Sequence, residues 1–152
     1  YTWSKTMRQF DLINSGKPFP ARQDRRHDLS IVTQYNLSKK LILSATWVYN
    51  TGNAVTFPNG KYVIDGRTVG YYTQRNGYRM PNYHRLDIGL TWMKRQTSRF
   101  ESSWNFSIYN VYARENAYFI SFRQNKDNAD QTEAVQVSLF KFIPSVSYKF
   151  KF

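Results

Sequence analysis

The chain has 152 residues, with 22 Lys and Arg against 10 Asp and Glu, a formal charge of +12, and no cysteine. It holds 12 Tyr, 11 Phe and 4 Trp, yet no apolar run approaches the roughly 20 residues of a spanning helix, which excludes a helical membrane protein and leaves a strand-built one open. The length suits one domain over residues 1–152, the lack of cysteine is neutral as to compartment, and the basic, aromatic-rich balance keeps a nucleic-acid binder as a rival.

Alternation of apolar and polar residues, the mark of a strand with two different faces, predicts six principal strands: about 1 to 10, 26 to 37, 41 to 51, 84 to 95, 100 to 123 and 132 to 152. The opening Tyr1-Thr2-Trp3-Ser4 already reads as mid-strand, with no initiator Met, basic n-region or signal h-region ahead of it, so the chain is expected to be the tail of something longer. From Asp28, Leu29, Ile31, Thr33, Tyr35 and Leu37 take one side, and Ser30, Val32, Gln34 and Asn36 take the other. Leu41, Leu43, Ala45, Trp47 and Tyr49 then share a face opposite Ser44, Thr46 and Asn50. The pattern returns with Leu86, Ile88, Leu90 and Trp92 against Arg85, Asp87, Gly89 and Thr91, and with Trp104, Phe106 and Ile108 against Ser103, Asn105 and Ser107.

The connections alternate between tight (Ser38-Lys39-Lys40 and Gln96-Thr97-Ser98) and long (11 to 25, 52 to 83 and 124 to 131). In an up-and-down meander this sorts all tight turns to one end and all long loops to the other, the asymmetry of outer-membrane barrels. Within the middle loop, Lys61 to Ile64, Asp65-Gly66 and Thr68 to Thr73 read as a small hairpin with arms too short to span, placed above the membrane. Pro18, Pro20, Pro58 and Pro81 fall in loops, whereas Pro144 lies inside the last strand and requires a bulge or an unpaired edge position. Arg26-His27-Asp28-Leu29 and His84-Arg85-Leu86-Asp87 form a weak echo. It places Asp28 and Asp87 on the polar parity, facing the lumen, with Arg26 and Arg85 beside them. No Arg occupies a central position on the lipid parity, where it would cost about 2 to 4 kcal/mol.

The chain closes on Tyr148-Lys149-Phe150-Lys151-Phe152. A period of two puts Tyr148, Phe150 and Phe152 on one face with Phe142 and Val146, opposite Ser145, Ser147, Lys149 and Lys151, and something outside the chain is expected to cover that face. The fold class read from these patterns is all-β, an antiparallel up-and-down transmembrane β-barrel seen in part.

Several stretches in order carry a resemblance: Gly16-Lys17-Pro18-Phe19-Pro20, Asp24-Arg25-Arg26-His27-Asp28-Leu29, Ala45-Thr46-Trp47-Val48-Tyr49-Asn50-Thr51-Gly52-Asn53 and Asn76-Gly77-Tyr78-Arg79-Met80-Pro81. Tyr83-His84-Arg85-Leu86-Asp87, Trp104-Asn105-Phe106-Ser107-Ile108-Tyr109-Asn110-Val111-Tyr112, Arg114-Glu115-Asn116-Ala117-Tyr118 and Ile143-Pro144-Ser145-Val146-Ser147-Tyr148 continue it. Nearly end to end, the sequence resembles the C-terminal barrel segment of a TonB-dependent outer-membrane receptor, in the branch with a carboxypeptidase-regulatory-like N-terminal extension. The resemblance implies a plugged barrel of about 22 strands that takes up a large nutrient, of which this chain would be about six C-terminal strands. It implies the Gram-negative cell outer membrane as location. The partners it implies are outer-membrane lipid and lipopolysaccharide, the remaining strands and plug of the same barrel, and TonB through a preceding N-terminal part.

Tyr148, Phe150 and Phe152 match the C-terminal signal read by the barrel-assembly machinery, with strand addition as the physical basis, and they serve equally as girdle residues. Arg22, Arg25, Arg26 and Arg114 near the long loops are candidates for an anionic ligand or lipopolysaccharide phosphate, against the commoner reading of a solvated rim with local ion pairs. Tyr71, Tyr72 and Tyr78 are candidates to stack on a sugar or peptide side chain, or else pack the loop. His27 and His84 lack the neighbours of a metal site and read as hydrogen-bonding residues at strand entries. Lys39, Lys40, Lys94, Arg95 and Arg99 at the tight turns suit snorkelling at a membrane interface. No nucleophile with a base, catalytic carboxylate pair or phosphate loop is present in the sequence, so neither an enzyme, a cofactor nor a bound metal is expected. Two alternatives remain: a small complete outer-membrane barrel that counts the middle hairpin as two spanning strands, and a soluble basic β-barrel binding nucleic acid.

Overall fold

The computed structural model describes residues 1–97, 99–128 and 131–152; Ser98 of the expected second tight turn, and Ala129 and Asp130 of the expected loop 124 to 131, lie outside the described residues. In chain order the strands are β1 (Thr2–Trp3), β2 (Met7–Arg8), β3 (Phe19–Pro20), β4 (His27–Asn36), β5 (Leu41–Asn50), β6 (Ala54–Val55) and β7 (Gly60–Ile64). They continue with β8 (Arg67–Tyr71), β9 (Tyr78–Arg79), β10 (Tyr83–Gln96), β11 (Glu101–Tyr109), β12 (Phe119–Gln124), β13 (Thr132–Val137) and β14 (Ile143–Lys151). A short 3-10 turn at Asn14–Gly16 is the one helical element among the described residues. The protein is all-β with antiparallel sheets, and the described residues form no closed barrel. Among the described residues no helix is long and apolar enough to cross a membrane.

Two compact units divide the chain, the first made of Tyr1–Asp28 and Asn50–Asn82, the second of Leu29–Tyr49 and Tyr83–Phe152. In the second unit the strand order is β4, β5, β10, β11, β14. Directly opposed residues of paired strands share a face, so register decides whether the sequence alternation becomes a surface. Ile88, Leu90 and Trp92 pair with Ile108, Phe106 and Trp104, and on the other side Trp104 and Phe106 pair with Tyr148 and Val146. Gly89 and Thr91 pair with Ser107 and Asn105, which in turn meet Ser145 and Ser147. The apolar rows thus fuse into one face and the polar rows into the other. Rings are consolidated on the apolar face: Trp104 lies 4.9 Å from Tyr148, and Trp47 stacks with Tyr49 at 6.1 Å.

Neither face is a dry core. Among the described residues of the second unit no apolar side chain is fully buried, and Val146 and Phe150 remain 60% and 54% exposed. The buried apolar side chains among the described residues, Phe19, Ala21, Ala54 and Met80, belong to the first unit. Pro144 sits on β14 at the edge of the sheet, opposite Ile108 in unbroken register, so an edge position and not a bulge accommodates its missing N–H. A bulge does occur on β10, between Met93 and Arg95.

Three expected strands are interrupted. The stretch 1 to 10 is not one strand: Thr2 and Trp3 pair with Asp28 and His27, whereas Met7 and Arg8 pair with Pro20 and Phe19, and the register slips between the two patches. The Asp24 carboxylate fills the slip by accepting the Thr6 N–H at 2.5 Å. The expected strand 100 to 123 breaks at Asn110, where φ is +55°, a left-handed conformation that Asn tolerates and that turns the chain out of the sheet. Residues 119–124 then pair with 132–137 as a separate hairpin, and the expected strand 132 to 152 accordingly divides into β13 and β14. The middle hairpin forms as read, with β7 and β8 of five residues each around Asp65-Gly66, both at positive φ as a two-residue hairpin turn requires.

Candidate functional site

The second unit carries a cavity of about 320 Å³ whose lining includes, beside Ile88, Ile108 and Ile143, the polar residues Ser44, Thr46, Asp87, Asn105, Ser107 and Ser145. Alternation places every one of these hydroxyls, amides and carboxylates on the same side, and the sheet joins them laterally: Ser107 to Ser145 at 2.7 Å, Asn105 Nδ2 donating to Thr91 Oγ1 at 2.9 Å, and Ser44 Oγ donating to the Gly89 carbonyl at 3.2 Å. A Cβ on Gly89 would lie 2.7 Å from Ser44 Oγ, so glycine keeps this floor open. At its margin Arg85 donates to Tyr83 and Tyr109 hydroxyls at 2.9 and 2.8 Å and lies 4.1 Å over the Tyr109 ring. Arg85 Nε is 2.9 Å from Asp87 Oδ2, an ion pair without the alignment of a hydrogen bond. Asp87 in turn accepts the Asn110 N–H at 2.9 Å, and the buried Asn110 side chain donates to the carbonyls of Arg114 and Lys141. The expectation that Asp87 shares the polar face with Arg85 beside it matches this geometry. Arg26, by contrast, pairs with Asp24 at 3.8 Å.

In the first unit the long loops are held by Asp24, which has no accessible surface. Its carboxylate receives the Thr6 N–H and the Arg79 guanidinium, while Arg79 also donates to the backbone carbonyls of Asp24 at 2.6 Å and Gly52 at 3.3 Å. Burial alone would raise the Asp24 pKa; the Thr6 bond, the Arg79 guanidinium and the Arg26 charge outweigh it and hold the group below its ordinary value. Gly52 lies so close to Met80 that a Cβ there would fall 1.6 Å from the Met80 carbonyl oxygen. Around this anchor, Asn14 makes two bonds with the Arg75 backbone, at 2.7 and 3.0 Å, and Asn76 Nδ2 donates to the Pro20 carbonyl at 2.9 Å. These ties frame a cleft of about 400 Å³ whose lining includes Lys17, Phe19, Arg75, Asn76 and Tyr78.

Of the sequence-derived candidates, Tyr78 lines this cleft, packing on Phe57 at 5.6 Å with its hydroxyl bonded to Asn59 at 2.5 Å. Tyr71 packs edge-on against Tyr62 across the β7–β8 hairpin, and Tyr72 stays 59% exposed. Arg22 and Arg25 are exposed in the loop around Asp24 and line neither cavity. Arg114 belongs to the second unit, where its Nε donates to Asn116 Oδ1 at 3.2 Å. Sequence reasoning missed Asn14, Lys17 and Arg75; the run of positive φ at Asn14, Ser15 and Gly16 was signalled only by their composition. His27 and His84 each bond a tyrosine hydroxyl at 2.8 Å, Tyr1 and Tyr112 respectively, as strand-entry hydrogen-bonding residues. Tyr148, Phe150 and Phe152 form one ladder on the apolar face, with neighbouring ring centroids 6.0 and 5.6 Å apart. No group of three or more His, Cys, Asp or Glu that could hold a metal ion is found among the described residues.

Comparison with protein-family models, curated proteins and solved structures gives no match.

Proposed function

We propose that this chain is part of the barrel of a TonB-dependent transporter in the outer membrane of a Gram-negative cell, and that it serves the uptake of a large nutrient. The observation that carries the reading is the register-matched separation of faces in the second unit, with an exposed apolar face on one side and hydroxyl, amide and carboxylate groups on the other. Hydrocarbon covers the first and an aqueous, plugged lumen the second. Strand β14 at one edge, and β4 beyond its pairing with β1 at His27 and Asp28, are where the remaining strands of the barrel join. The cleft of the first unit belongs to the extracellular loops and takes part in capturing the nutrient. The ladder Tyr148, Phe150 and Phe152 is the segment offered to the barrel-assembly machinery. The middle hairpin supports a large barrel over a small complete one, because its five-residue arms fall short of the roughly 9 to 11 residues of a spanning strand.

The absence of native cysteine makes the test clean. Single cysteines placed at Leu90 or Phe106, and separately at Asn105 or Ser107, in the whole protein in its membrane are spin-labelled and exposed to oxygen or to a water-soluble nickel chelate. Oxygen is expected to relax the labels at 90 and 106, and the chelate those at 105 and 107. Chelate access to both sets in a protein that needs no detergent would remove the membrane reading and leave the soluble nucleic-acid binder.

A further inference from the structure

We infer that the tight-turn end of the second unit is a binding rim for the phosphodiester headgroup of anionic glycerophospholipids, built by Arg95 on the apolar side together with Lys39, Lys40, Lys94 and Arg99 at the two turns. The inference rests on the membrane reading above and adds to it a lipid class and a place. All five side chains are exposed, and none is in an ion pair among the described residues. The ion pairs of the same unit lie elsewhere: Arg85 with Asp87, Arg123 with Glu133 and Lys141 with Glu115.

The bulge on β10 decides which way the rim points. Along β10 the residues at 86, 88, 90 and 92 face the apolar side, and an uninterrupted strand would send 95 to the polar side with Met93. The register shift between Met93 and Arg95 instead sets Arg95 opposite Ser102, which is itself opposite Phe150 of the aromatic ladder. Arg95 therefore stands on the apolar side, its guanidinium carbon 5.8 Å from the centre of the Phe100 ring. Met93 donates its N–H to the Lys40 carbonyl at 2.8 Å, which fixes the Lys39-Lys40 turn beside the bulge. Glu101, the carboxylate at this end, is opposite Lys151 and Gln96 on the polar side, where it leaves the basic rim uncompensated. The four strands joined by these two turns, set about 4.8 Å apart, make a basic rim roughly 14 Å wide.

Beneath the cations comes a row of rings, Trp92, Trp104 and Tyr148, beneath those Leu90, Phe106 and Val146, and beneath those the aliphatic pair Ile88 and Ile108. A nucleic acid asks for cations and stacking rings along one wet groove. A graded order of charge, ring and aliphatic on a single face fits an amphiphile whose anionic head lies at the end of a hydrocarbon tail. The long-loop end is where lipopolysaccharide would lie in the same reading, so the rim is assigned to glycerophospholipid.

The whole protein in neutral detergent, offered phosphatidylglycerol and phosphatidylcholine of equal chain length, is assayed by native mass spectrometry for retained lipid. Phosphatidylglycerol is expected to be retained several-fold more, with the preference falling as salt rises. Lys39→Gln/Lys40→Gln/Lys94→Gln/Arg95→Gln should abolish the preference, while Lys149→Gln/Lys151→Gln, which removes two charges from the polar side of the same end, should keep it. Equal retention of the two lipids by the unaltered protein overturns the inference, as does equal loss in both variants. A stronger preference for lipopolysaccharide or for an oligonucleotide at the same residues also overturns it. If oxygen still relaxes labels at 90 and 106 in those cases, the membrane reading survives alone; a protein that enters no bilayer overturns both.

Discussion

Asp24 shows how a single carboxylate can organise a unit with a small apolar core. An unpaired buried carboxylate would be costly, and here the Thr6 N–H and the Arg79 guanidinium meet it from segments distant in sequence. Asp24→Asn keeps the shape but leaves Arg79 without its counter-charge, and about 2 kcal/mol should be lost from the first unit, read as faster hydrogen exchange at the Thr6 amide. The same group sets an acid response. Because its folded pKa lies below the unfolded value near 3.9, its contribution is complete above that value and disappears as pH falls through the folded pKa. Acid protection of Thr6 should therefore fall in the unaltered protein and be flatter in Asp24→Asn over the same range. Gly52→Ala is a steric counterpart: its Cβ meets the Met80 backbone, which cannot swing aside as a flexible side-chain end would. About 2 to 3 kcal/mol should be lost, with earlier proteolytic cleavage between Asn53 and Met80.

At the scale of strands, β10, β11 and β14 test the meaning of the two faces. Phe106 sits among Leu90, Val146 and Trp104, and its neighbour Ser107 among Gly89 and Ser145. In the proposed setting Phe106→Arg should cost about 2 to 4 kcal/mol of folding in lipid, and Ser107→Arg much less, as measured by urea titration in bilayers. A reversed order would mean that the apolar face is the wet one. These faces were legible in the sequence because alternation is local: a period of two needs only each strand's own residues, and β10 carries it from Leu86 to Trp92, ahead of its bulge. The breaks were not legible for the opposite reason. The apolar parity runs on through Ile108 and Tyr112, but the turn at Asn110 depends on Asp87, Arg114 and Lys141, whose proximity appears only once the strands are side by side. The opening stretch fails likewise, since its register slip is filled by Asp24. Of the candidate sites, the ladder at 148, 150 and 152 followed from alternation alone, whereas the loop cleft is framed by the Asn14 and Arg75 pairing, which no spacing rule anticipates.

For the molecule as a whole, charge and apolar surface make opposing demands on any partner. A chain with +12 formal charge and unpaired cations at one rim would adhere to an anionic surface through charge alone, and such adhesion weakens steeply with salt. In the proposed setting, a sheet without a dry core, whose apolar face displays Phe106, Val146, Phe150 and Trp92, is held instead by burial in hydrocarbon, which salt does not weaken. The two modes separate in one experiment on cell envelopes carrying the whole protein. Washing in high salt and then in alkaline carbonate should leave the protein with the outer membrane, and detergent should release it. Removing the detergent should then drive aggregation through the exposed face and the free edge of β14. Release by salt alone, with the protein staying dispersed, would mean that charge is the principal bond and that the apolar face is tolerated by water. Its aromatic rows would then be read as stacking surfaces, as a nucleic-acid binder requires.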